Sequence, residues 1–228
     1  MFKKSFIAVL TAASLMSSAS AAELGSFLLK LQGGYAMSNS SFNASANNTS
    51  SQIKNNNLNG FQGLVGFGYV ASEDIWTDVT VSYDVSNTSL SSANQSINQV
   101  QNNNMTGMLN AYYGFNIGHS FSPYVMCGLG MGISKSKISL PVDGPQFNGQ
   151  TLNIAGQLSS NNSTYFAYQG GFGMTFEMMK SIALDLGYRI GNGQTAQTTG
   201  SLGSGSALVL SPQNQLKQSV LLGINVAF

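Results

Sequence analysis

The chain has 228 residues, of which only 7% are charged, against about 25% in an average soluble protein, and its formal net charge of +1 offers no basic surface for nucleic acid. Its 43% apolar content is too high for a disordered chain, yet after residue 22 it has no run of about 20 apolar residues, as a membrane helix would need. The single cysteine, Cys127, excludes an internal disulfide and any metal cluster built from several thiolates.

The chain opens with a pattern of export. Lys3 and Lys4 precede an apolar run over residues 6–16, and Ala19-Ser20-Ala21 supplies the small residues of a cleavage site. Residues 1–21 are therefore expected to be a signal peptide, cut after Ala21 or after Ala22, and 22–228 a single exported domain. Removing Lys3 and Lys4 leaves seven basic residues against eight acidic ones.

Eight segments of period-two hydrophobicity follow, each with one apolar face and one small or polar face. Residues 26–37 set Phe27, Leu29, Leu31 and Tyr35 against Lys30, Gln32 and Gly34. Residues 58–70 set Phe61, Val65, Phe67 and Tyr69 against Gln62, Gly66 and Gly68, and 75–86 set Val79, Val81 and Tyr83 against Trp76, Asp78 and Asp84. In 104–117, Leu109, Tyr113 and Phe115 oppose Thr106, Asn110 and Tyr112. In 122–134, Val125, Cys127, Leu129, Met131 and Ile133 oppose Tyr124, Gly128, Gly130 and Gly132, which makes Cys127 a small lipid-facing hydrophobe. Residues 163–176 set Phe166, Tyr168 and Phe172 against Tyr165 and Gln169, and 181–191 set Leu184, Leu186 and Tyr188 against Asp185 and Arg189. The last, 216–228, sets Val220, Leu222, Ile224, Val226 and Phe228 against Ser219, Gly223 and Asn225.

The connections alternate in length. Residues 71–74, 118–121 and 177–180 are tight turns, whereas 38–57, 87–103, 135–162 and 192–215 are each about 17 to 28 residues long and rich in Asn, Ser, Gln and Gly. Segments of about 11 to 14 residues are twice the usual soluble strand and long enough to cross hydrocarbon at a tilt. An even count returns both termini to the turn side, and closing the eighth strand on the first leaves no unpaired backbone in lipid. Tyr35, Tyr69, Tyr83, Tyr188 and Phe228 fall near segment ends on the apolar face, where an interfacial aromatic girdle belongs. The expected fold is all-β: an eight-stranded antiparallel up-and-down transmembrane β-barrel.

Two local motifs support a family resemblance. The chain ends with Gly223, Val226 and Phe228 in the spacing of a C-terminal assembly signal of bacterial barrels, and Leu184-Asp185-Leu186-Gly187-Tyr188-Arg189 is similar to a penultimate-strand signature. The mature chain resembles the opacity-protein and surface-antigen family of small outer-membrane barrels, similar in architecture to the membrane domain of outer-membrane protein A. That resemblance implies location in the bacterial outer membrane among lipid and lipopolysaccharide, delivery by the barrel-assembly machinery, periplasmic termini, and long extracellular loops that meet an external ligand.

Chemistry has few candidates. The charges within the spans are Lys30, Asp78, Asp84, Asp185, Arg189 and Lys217, all on the inward face by parity; Lys30, Asp78 and Asp185 fall in the turn-side half and the other three toward the loops. Opposite charges are expected to pair across the tube, either as a structural plug or as a gated conduit. The lone histidine, His119, sits in a tight turn away from the loop rim where a catalytic base would be needed, and Gly128, Gly130 and Gly132 have period two with no helix after them, unlike a phosphate loop. No catalytic, cofactor or metal site is expected. The two functions that remain are a non-catalytic surface protein whose loops adhere to host or neighbouring cells, and a narrow porin-like channel for small solutes.

Overall fold

The computed structural model describes residues 24–46, 49–92, 95–115, 121–139, 146–147, 150–151, 157–159, 162–193, 198–201, 207–212 and 215–228. Strands β1 (Phe27–Ala46), β2 (Thr49–Val70), β3 (Ile75–Ser92), β4 (Gln95–Gly114) and β5 (Phe121–Ser139) are followed by three short ones, β6 (Gln146–Phe147), β7 (Gln150–Thr151) and β8 (Gln157–Ser159). Then come β9 (Ser163–Met179), β10 (Ile182–Gly193), β11 (Thr198–Ser201), β12 (Ala207–Pro212) and β13 (Gln215–Ala227).

Eight long strands, β1 to β5, β9, β10 and β13, pair antiparallel with their neighbours, and β13 returns to β1 from Leu28↔Ala227 to Asn39↔Leu216, closing the barrel. Following register partners once round the barrel leads from Phe27 through Tyr69, Thr77, Ala111, Cys127, Gly170, Ile190 and Gln218 to Met37, a stagger of ten residues. For eight strands that stagger implies a tilt of about 40° and a backbone radius of about 8 Å. Such a tube is just wide enough for its own side chains.

The period-two pattern is laid on this tube inside out relative to a soluble protein. Phe61 is 75% exposed and Leu109 62%, while Lys30 and Asp185 are each 1% exposed. The inward face is thus polar and occluded, and the outward face is the apolar belt a bilayer requires. Aromatic rings gather at the turn-side edge of this belt, where Phe27 lies 5.4 Å from Phe67, 5.6 Å from Tyr69 and 6.2 Å from Phe228. Toward the loops, Tyr35 meets Phe61 at 5.9 Å and the Tyr188 hydroxyl donates to Gln218 Oε1 at 2.8 Å. Cys127 is a free, exposed thiol on the apolar face.

The seam between β1 and β13 is held at its turn-side end by Phe27 and Phe228. Phe27 N donates to the Phe228 carbonyl and Phe228 N to the Phe27 carbonyl, both at 3.0 Å, so Phe228 extends the seam ladder past β13. At Gly223 β13 lies close against β1: a Cβ there would lie 2.6 Å from Gln32 Cα and 2.7 Å from Gln32 Cγ, so a larger residue would push the seam apart.

The structure corrects the expected extents of the connections. Residues 38–57 and 87–103 are not loops throughout: β1 and β2 stay paired to Ala46↔Thr49, and β3 and β4 to Ser92↔Gln95, with register shifts at Ser40/Phe42 and Thr88/Leu90. A ribbon of Asn, Ser and Gln carries no apolar alternation to mark it, yet its backbone groups can still pair across the hairpin. Within 135–162 and 192–215, β8 pairs with β5, β12 with β1, and β11 with β12, so parts of both connections extend the sheet. The connection placed at 177–180 tightens to Lys180 and Ser181, because β9 runs to Met179. Residues 116–120, with His119, and 1–23, with the cleavage site, lie outside the described residues.

Candidate functional site in the barrel lumen

The turn-side half of the lumen is built around one lysine. Lys30, on β1, places Nζ 2.8 Å from Asp78 Oδ2 on β3 and 3.9 Å from Asp185 Oδ2 on β10, and it donates to the Tyr112 hydroxyl at 3.0 Å. Each carboxylate has further donors: Asn110 Nδ2 reaches Asp78 Oδ1 at 2.6 Å, the Tyr124 hydroxyl reaches Asp185 Oδ1 at 2.7 Å, and Asn225 Nδ2 reaches Asp185 Oδ2 at 3.0 Å. Gln169 Nε2 in turn donates to Asn110 Oδ1 at 2.6 Å, holding the amide that holds Asp78. Pairing and hydrogen bonds of this kind offset the cost of taking the charges out of water.

Aromatic rings fill the space beneath. Trp76 stacks on Tyr112 with centroids 5.2 Å apart and planes at 6°, and Tyr124 meets both edge-on at 5.7 and 5.5 Å. Trp76 also packs against Leu28, Val70 and Ala227, joining the rings to the apolar residues of the turn end. Room for Tyr124 comes from Gly173 opposite it, where a Cβ would lie 2.5 Å from the ring.

Toward the loops the lumen is more open. Lys217 Nζ pairs with Asp84 Oδ1 at 2.6 Å, and Ser134 and Ser136 both donate to Asn102 Oδ1, at 3.1 and 3.0 Å. Between these and the turn-side cluster lies Arg189, 3% exposed, whose Nη2 donates to Gln32 Oε1 at 2.7 Å. A cavity of about 30 Å³ adjoins it, lined by residues that include Ser82, Thr106, Tyr165, Lys217 and Ser219.

The six inward charges thus divide into Lys30 with Asp78 and Asp185, Lys217 with Asp84, and Arg189 apart. The expectation that Arg189 pairs with a carboxylate is corrected: among the described residues none lies within 4.0 Å of it. Asp185 is claimed from other strands by Lys30, Tyr124 and Asn225, and Arg189 lies four residues farther along the same strand, about 13 Å away. Parity marked every one of these residues as inward. It could not show that the amides of Gln32, Asn110 and Asn225 join the charge network, because inward Asn and Gln recur along the chain with nothing to single these out.

The sequence profile described as "Outer membrane protein beta-barrel domain" matches residues 5–227. The chain belongs to that family. This outer-membrane barrel is 29% identical over 163 residues to a Rickettsia conorii protein named as a candidate adhesin, an alignment covering 67% of this chain and 61% of that protein. The chain therefore spans less than two thirds of that relative's length. Among solved structures, the outer-membrane barrel is similar to the outer membrane protein OprG of Pseudomonas aeruginosa, with a TM-score of 0.55 at 13% identity, covering 91% of this chain and 98% of that one. It is also similar to Neisserial surface protein A, with a TM-score of 0.47 at 15% identity, covering 89% of this chain and 97% of that one. At these identities the likeness concerns the fold, and family membership places the protein in the bacterial outer membrane.

Proposed function

We propose that the protein is a non-catalytic anchor that displays four long, weakly charged connections outside the cell for adhesion to host or neighbouring cells. The observation that carries this reading is the asymmetry of the two ends. At one end the turns are tight and the lumen is filled by Trp76, Tyr112, Tyr124 and the Lys30 network; at the other, paired strands of Asn, Ser and Gln run on past the belt. The relative named as a candidate adhesin supports the same reading. In this arrangement the termini are periplasmic, the belt contacts lipid and lipopolysaccharide, and residues 1–21 are removed on export. Binding of cultured host cells to bacteria displaying the protein should fall several-fold when residues 40–55 and 89–98 are replaced by tight turns; undiminished adhesion with normal surface levels would reject the reading.

Trypsin added to sealed cells should cut after Lys54, Lys135 or Lys137, in the long connections, and spare Lys180 at a tight turn. Peptide mapping that finds cleavage after Lys180 would invert the orientation.

Gly223, Val226 and Phe228 are proposed to act as the signal read by the barrel-assembly machinery as well as to close the seam. Deleting Phe228 removes two seam hydrogen bonds and its rings' contacts with Phe27 and Phe67. The heat-modifiable, folded band in outer-membrane fractions should shrink markedly and unassembled protein should accumulate in the periplasm. An unchanged band would speak against both roles.

A further inference from the structure

We propose that the loop-side lumen is a binding site for a small oxyanion, phosphate or sulfate, held by Arg189 and the hydroxyl groups around it. The starting observation is a pair of buried donors that lack acceptors. Arg189 is 3% exposed, yet its Nη1 has no hydrogen-bond partner, and Nε2 of Gln32, the residue that holds its Nη2, has none either. A guanidinium offers donors only and cannot lose its charge, so the missing group must be an acceptor and favours one that is negative.

Among the described residues no carboxylate lies within 4.0 Å of Arg189. Asp78 and Asp185 are engaged by Lys30, Asn110, Tyr124 and Asn225, and Asp84 is engaged by Lys217. A cavity of about 30 Å³ opens beside Arg189, and Ser82, Thr106, Tyr165 and Ser219 bring hydroxyl groups to its wall. Planar, forked donors facing hydroxyl groups across a confined space suit an anion with several oxygens. The same chemistry could be presented by a free ion or by a phosphate group on a larger molecule entering from the loops.

Arg189 is the one arginine in the chain, which makes a direct test possible. With arginine labelled selectively with nitrogen-15 in the full chain folded in detergent micelles, the guanidinium signals report on this side chain alone. Titration with inorganic phosphate at constant ionic strength should shift them saturably. Glucose 6-phosphate as a second probe distinguishes the sources: binding as tight as that of phosphate shows that a tethered group is accepted, and binding at least tenfold weaker shows a site for the free ion. Ser219 lies directly opposite Arg189 in register, so Ser219→Glu should place a carboxylate where the anion sits and weaken phosphate binding at least tenfold. Lys180→Gln, at the far turn, should leave it unchanged. No shift, a shift that never saturates, or equal binding in Ser219→Glu would overturn the proposal.

Discussion

Lys30→Ala should lower the unfolding free energy by about 3 to 5 kcal/mol, the usual cost of removing one partner from a buried charge network. The size of the effect follows from arithmetic within the cluster. One ammonium group, 1% exposed as a residue, answers two carboxylates on opposite walls, and its loss leaves Asp78 and Asp185 both buried with only neutral donors. Hydrogen bonds from Asn110, Tyr124 and Asn225 would soften the penalty without supplying the missing charge. Urea unfolding in lipid vesicles measures it, and adding Asp78→Asn to Lys30→Ala should recover part of the loss. A loss under about 1 kcal/mol would mean that water reaches the cluster and screens it.

Leu222→Arg should cost about 2 to 4 kcal/mol if the residue faces the hydrocarbon near mid-span. Leu222 is 53% exposed on the outward face of β13, between Phe228 and Leu216 at the two ends of the strand. A charge on the other face of the same strand should behave differently: Ser219→Glu acquires Arg189 as a partner and should leave the unfolding midpoint unchanged or higher. The contrast isolates facing direction from strand position. If both variants unfolded at the same urea concentration, the assignment of belt and lumen would be wrong.

Most of the fold could be read from the sequence because a barrel wall in lipid obeys one rule along its whole length. Every second residue meets hydrocarbon, so Val79-Thr80-Val81-Ser82-Tyr83 declares both its strand and its two faces. The rule lapses beyond the membrane. At Asn55-Asn56-Asn57 no apolar face is required, and the continued pairing of β1 with β2 was invisible. Within the lumen, parity selected the six charged residues but not their partners, since pairing depends on a stagger that accumulates to ten residues once round the tube. Lys217 with Asp84 and Lys30 with Asp78 join residues far apart in sequence. Arg189 meeting the Gln32 amide where a carboxylate was expected reflects the same limit: composition balances three positive against three negative charges, and geometry does not pair them one to one.

Anchor and channel differ in one property that can be measured directly, the passage of ions through the lumen. The stacked Trp76 and Tyr112, with Tyr124 across them and the Lys30 network beside them, occupy the turn-side cross-section of a tube whose backbone radius is only about 8 Å. Reconstituted in a planar bilayer, the unmodified protein should show no steady conductance, whereas a Trp76→Ala, Tyr112→Ala variant that still gives the folded band should show openings. Large, sustained conductance from the unmodified protein would contradict the closed anchor and establish a channel.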